Sequence, residues 1–115
     1  MSYDVYLENR GICVSVARHE EGGTYVLGGA EEAQLNITYN YASFYYQYLP
    51  MGDGLRWLNG KRAGETIESL QLAVMMLGDD VYEDYWAPTR GNAGHALKVL
   101  LGWAIEHPYA IWSVS

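Results

Sequence analysis

Cysteine is almost missing: Cys13 stands alone among 115 residues, so no internal disulfide can form and a cysteine-rich zinc site has no ligand set. Cations are scarce too. Seven Lys and Arg face 14 Asp and Glu, a formal net charge of −7. That balance argues against binding long DNA or RNA, which needs several cations to displace condensed counterions from phosphates. A small anionic ligand stays compatible with it. No secretory leader pattern is present, and the longest uncharged apolar stretch near the C-terminus, 99–105, is far shorter than the about 20 residues that cross a bilayer. The expected location is therefore the cytoplasm, with no membrane partner.

Catalytic patterns are missing as well. There is no G-x-S-x-G turn, Cys13 falls in a β-prone run, and His19, His95 and His107 are too scattered to suggest a triad. Asp79, Asp80, Glu83 and Asp84 have no His or Cys beside them and lack the glycine and ligand spacing of a calcium loop, so they are expected to be solvated. A non-enzymatic protein without metal or cofactor is expected.

What the chain does have is apolar residues, 50% against 18% charged, enough for one folded domain. It also has polar-tipped rings: 11 Tyr and four Trp accompany a single Phe. Each such ring needs a partner for its polar atom when buried. Scattered tyrosines such as Tyr3 and Tyr6 read as caps on the core edge. Tyr39, Tyr41, Phe44, Tyr45, Tyr46 and Tyr48 exceed what one helix face can bury, so some of them are expected to line a pocket or an oligomer interface, and a homo-oligomer is expected.

Alternation of period two predicts strands at Tyr3 to Leu7, Ile12 to Val16, Thr24 to Leu27, Ala33 to Tyr39 and Tyr109 to Val114. Asn9-Arg10-Gly11 is a hairpin signal between the first two. A short helix is expected from Ser43 to Leu49, and 51–60 is expected to be a loop. Ala63, Ile67, Leu70, Val74 and Leu77 form the stripe of an amphipathic helix ended by Gly78. A last helix is expected to be capped by Asn92, with stripe Ala93, Leu97, Leu100 and Ala104, and to stop before Pro108. The class is α+β: an antiparallel sheet of about five strands, an N-terminal meander plus the C-terminal strand, packed against two or three helices.

Two stretches could hold a ligand. In the run from Trp86 to His95, a glycine-bearing turn enters a helix whose first amides have no intrahelical partner and carry the positive end of the dipole. Thr89, Arg90, Gly91 and Asn92 could grip phosphate there, with His95 one turn further on. Capping and tight helix packing would use the same residues. In the second stretch Asn36, Thr38 and Asn40 line one strand face with amides and hydroxyls suited to a base or ribose. Tyr39, Tyr41, Tyr45 and Trp86 could stack on it. Arg56, Lys61 and Arg62 around Trp57 are a third, basic cluster that reads mainly as solvated.

Several of these motifs together carry a resemblance. The strand Asn36-Ile37-Thr38-Tyr39-Asn40, the run Gly54-Leu55-Arg56-Trp57-Leu58-Asn59-Gly60-Lys61, the Pro88 to Gly94 turn and Glu106-His107-Pro108 resemble a family of short uncharacterised proteins of tailed phages and their hosts, over roughly residues 34 to 115. Thr89-Arg90-Gly91-Asn92 stands where the family has an Asn-Gly-Trp-Gly type run. The resemblance implies a phage setting. Small acidic phage proteins without catalytic groups commonly counter host defence, either by sequestering a nucleotide second messenger or by covering a host enzyme. The ring, amide and helix-start residues favour the first expectation, a sponge for a small nucleotide. Direct contact with a host enzyme is the alternative.

Overall fold

The computed structural model describes residues 2–19 and 30–115. The strand expected at Thr24 to Leu27 lies outside them. The fold is α+β. Strand β1 (Ser2–Asn9) is central. It pairs antiparallel with β2 (Ile12–Cys13) and β5 (Gln34–Thr38), and with the C-terminal strand β6 (Ile111–Val114). Arg10 and Gly11, at φ 55° and 78°, make the two-residue turn that puts Asn9 opposite Ile12; two left-handed residues give the turn twist that hairpin strands need.

The run Ile12 to Val16 is not one strand. Val14 donates to the Leu7 carbonyl and accepts from the Ala33 amide, ending the pairing with β1. Beyond it β3 (Ser15–His19) joins β4 (Ala30–Glu32) in a separate two-stranded sheet. The alternation continues across the break, but the partner changes. The observed sheets therefore hold four strands and two rather than about five in one.

Helices α1 (Ala42–Tyr48), α2 (Ile67–Leu77) and α3 (Arg90–Glu106) cover one face of the large sheet. Inward residues Tyr3, Val5 and Leu7 of β1, Leu35 and Ile37 of β5 and Trp112 and Val114 of β6 meet Leu70, Ala73 and Leu77 of α2 and Leu97, Leu100, Trp103 and Ala104 of α3 in one core. The segment 51–60, expected as a loop, instead forms 3-10 turns that bury Leu55, Trp57 and Leu58. Gly60 and Lys61 then bond the backbone of Trp112, closing the outer edge of β6. The buried Trp112 indole donates to the Thr66 hydroxyl at 2.9 Å, which donates onward to the Ala63 carbonyl at 2.7 Å. No helix among the described residues is long and apolar enough to cross a membrane.

Candidate functional site

Helix α3 begins at Arg90, three residues before the start that a cap at Asn92 would set. Thr89 is the N-cap: its hydroxyl accepts from the Asn92 amide at 3.1 Å, and its carbonyl accepts from the Ala93 amide at 3.1 Å. Asn92 lies inside the helix and is buried. Its side-chain oxygen accepts from the Tyr82 amide at 2.8 Å, and its NH2 group donates to the carbonyls of Asp84 at 3.0 Å and Ala87 at 3.1 Å. One amide thus pins the whole segment 82–87 across the helix start. The reason Asn92 was expected as the cap, a short polar side chain ahead of an apolar stripe, applies equally to Thr89. Threonine has the extended backbone that a cap requires, φ −98° and ψ 152°.

The glycines tighten this joint further. A Cβ on Gly91 would sit 1.8 Å from the Asp80 carbonyl oxygen, and one on Gly94 would sit 1.7 Å from that of Gly78. Backbone thus packs directly on backbone where α2 ends and α3 begins. Arg90 spans the same joint, donating to the Met76 carbonyl at 2.7 Å and the Tyr48 hydroxyl at 2.8 Å, with its guanidinium over the Tyr48 ring. The unpaired carbonyls at the end of α2 are what it satisfies. His95 is exposed one turn on.

The strand face is engaged in the same way. Asn36 donates to the Ser2 hydroxyl at 2.6 Å and the Asp4 carboxylate at 3.0 Å, and its carbonyl accepts from the Tyr85 hydroxyl at 3.3 Å. Thr38 is buried and accepts from the Asn40 amide at 3.2 Å, capping a 3-10 turn, Tyr39–Tyr41, that leads into α1. Asn40 reaches across to donate to the Trp86 carbonyl at 2.8 Å. Tyr41 and Tyr45 are fully buried; their hydroxyls donate to the carbonyls of Tyr85 and of Ala93. Every buried side-chain nitrogen and oxygen among the described residues has a partner.

The structure therefore brings Asn40, Tyr41, Tyr45, Trp86, Thr89, Arg90, Gly91 and Asn92 together, but around the chain's own backbone between 76 and 93. Cavities among the described residues lie outside this cluster, one of them beside Asn36. That one, of about 160 Å³, is lined by Asp4, Tyr6, Gln34, Leu35 and Asn36, below the about 300 Å³ at which small-molecule pockets begin and with a carboxylate in its wall. Another, about 410 Å³, is a cleft lined by Arg62, Gly64, Glu65, Pro108 and Tyr109, in which Arg62 is ion-paired with Glu65 at 3.2 Å. No group of His, Cys, Asp and Glu among the described residues is arranged to hold a metal ion.

Burial raises the phenol pKa values of Tyr41 and Tyr45 well above the ordinary tyrosine value, because an ionised phenolate would lose its hydration there. Stability from these groups is complete below about pH 10 and is lost above it. In that range the unfolded chain releases both protons while the folded chain keeps them, and stability falls by about 1.4 kcal/mol per pH unit for each phenol. Urea midpoints measured from about pH 8 to about pH 11 should drop steeply above about pH 10, and Tyr45→Phe should make that drop shallower, the buried phenols of Tyr3 and Tyr41 remaining. A flat profile would contradict the burial of these rings.

A set of residues overlooked by the periodicity argument lies on the outside of α2. Leu72, Met75 and Met76 are 58%, 75% and 54% exposed, and Val81 and Tyr82 beyond the helix end are 58% and 51% exposed. The signal was available: a stripe at 63, 67, 70, 74 and 77 leaves 72, 75 and 76 on the opposite face, where apolar residues have no core to enter. From 63 to 89 the chain holds Glu65, Glu68, Asp79, Asp80, Glu83 and Asp84 and no Lys, Arg or His. Lys98 bonds Asp79 at 2.5 Å and holds its carboxyl below the usual range, and Arg62 pairs with Glu65. The other four have no cation bonded to them among the described residues.

Set against protein-family models, curated proteins and solved structures, the chain matches none of them. The resemblance to phage proteins thus rests on its motifs.

Proposed function

We propose that this chain is a non-catalytic binding protein that acts by direct contact with a protein partner through the outer face of α2. The carrying observation is the run of apolar side chains Leu72, Met75 and Met76 on a fully formed helix, held out in water. Exposed apolar surface rimmed by charge is the usual mark of an interaction site. In the phage setting that the resemblance implies, the partner would be a host enzyme and the effect its inhibition. The polar groups at the start of α3 are engaged by the chain itself, which leaves the face of α2 as the better-supported surface.

A second reading, sequestration of a small nucleotide, draws support from Arg56. Its exposed guanidinium lies 5.0 Å from the Tyr3 ring centroid and 5.7 Å from that of Tyr39, and donates to the Tyr39 hydroxyl at 3.1 Å. Such a group could meet a phosphate beside a stacked base.

Two measurements separate the readings. A nucleotide at a hundred times its dissociation constant adds about 2.7 kcal/mol of stability; protein contact expects no thermal shift with mono-, di- or cyclic nucleotides. The tagged chain, purified from the cells in which it acts, is expected to retain a protein with a basic contact surface. The double variant M75E/M76E is expected to lose that protein while its thermal midpoint stays within about 2 °C, as surface substitutions do. Retention of the same protein by the variant would overturn the reading.

A further inference from the structure

Resting on the protein-contact reading, we infer that the element recognised by the α2 face is a basic amphipathic helix of the partner. The backbone of α2 is bonded within its own helix and offers no open edge to a partner strand, so recognition must run through side chains. Leu72, Met75 and Met76 stand at i, i+3 and i+4, the spacing that forms ridges on a helix surface, and such ridges fit the grooves of a second helix about 8–10 Å away. Methionines suit this contact because an unbranched, polarizable chain can adapt to several side-chain shapes.

The charge picture selects the sign. Glu68 lies on α2 one turn before Leu72, and Asp80, Glu83 and Asp84 follow the helix end, while the cations nearest this face are already engaged, Arg90 on the Met76 carbonyl and the Tyr48 hydroxyl and Lys98 on Asp79. A helix carrying Lys or Arg on its flanks and Leu, Ile or Phe along its contact stripe complements both features. A second copy of this chain docked through the same face would set these carboxylates against their own equivalents. An acidic helix would meet the same repulsion.

The test uses the full-length chain and three labelled peptides of about 18 residues, long enough to form helix on binding. The first has Leu and Lys in amphipathic helical order, the second has the same composition in scrambled order, and the third has Leu and Glu in the amphipathic order. Fluorescence anisotropy is expected to give saturable binding of the first peptide on the order of 10 μM. Binding should weaken at least tenfold with M75E/M76E and fade as salt rises, and the Met75 and Met76 methyl resonances should move on titration. The scrambled and Leu/Glu peptides should bind at least tenfold more weakly than the first. Failure of the first peptide to bind, equal binding by the scrambled peptide, or undiminished binding by M75E/M76E would overturn the inference. If the partner still co-purifies in a manner that depends on Met75 and Met76 while the peptide fails, only the helix inference falls. If co-purification is also indifferent to those residues, the protein-contact reading falls with it.

Discussion

Gly94→Ala is expected to destabilise the protein by about 3 kcal/mol or more, the upper range for forcing atoms into a packed interior, and to lower the thermal midpoint by about 10–20 °C. The new Cβ would lie 1.7 Å from the Gly78 carbonyl oxygen, and neither neighbour can yield cheaply. Gly78 ends α2 in a left-handed conformation, φ 80°, and Gly94 lies in the second turn of α3. Relief requires the two helices to part at the place where Asn92 and Arg90 tie them. Gly102, around which nothing lies within 4 Å, is the control: alanine there should be neutral or stabilising through helix propensity. Scanning calorimetry on both variants decides the matter. A Gly94→Ala protein as stable as the parent would show that α3 does not rest on the backbone of 78–80.

Asn92→Asp carries the second large effect, and its sign is diagnostic. A carboxylate in the first turn of an open helix is favourable by roughly 0.3–1 kcal/mol, through the dipole. Here the NH2 group of Asn92 donates to the carbonyls of Asp84 and Ala87. The substitution would remove both donors and face a buried negative charge with carbonyl oxygens. A loss of about 3 kcal/mol is expected at neutral pH, since breaking a buried polar network leaves several groups unpaired at once. Part of that loss should return on acidification as the carboxyl takes up a proton. Chemical denaturation at two pH values measures it. Stabilisation by Asn92→Asp would instead mark the helix start as an open, anion-accepting end.

These two substitutions also mark where the sequence could and could not be read. The stripe Ala93, Leu97, Leu100 and Ala104 is buried as its spacing requires, the Arg10-Gly11 turn is present, and Trp112 and Val114 face the core as their alternation predicts. Periodicity reports which side of an element is apolar, and in these elements one side meets one core. It does not report which strand pairs with which, so Ile12 to Val16 read as one strand although Val14 divides it between two sheets. Glycines and Asp53 hid the buried Leu55, Trp57 and Leu58 in what read as a loop. Of the residues read as a ligand site, Asn40, Tyr41, Tyr45, Trp86, Thr89, Arg90, Gly91 and Asn92 cluster in space. Donors gathered at a helix start read as groups for a phosphate; in the structure Arg90 and Asn92 donate to the chain's own carbonyls, those of Met76, Asp84 and Ala87. Capping and tight packing were open from the sequence as the other use of these residues, but side-chain identity does not say which backbone fills the space beside a glycine. The outer face of α2 was legible in principle, as the apolar residues left over by the stripe.

The most direct measurement is position-resolved photo-crosslinking in the cells where the protein acts, with a photoreactive residue placed in turn at Met75 and at His95. Both positions are exposed, one on the outer face of α2 and the other just inside the start of α3, so the pair reports which of the two surfaces the partner touches. A single protein adduct from position 75 and none from position 95 is the expected result; an adduct from position 95 with none from position 75 would contradict it.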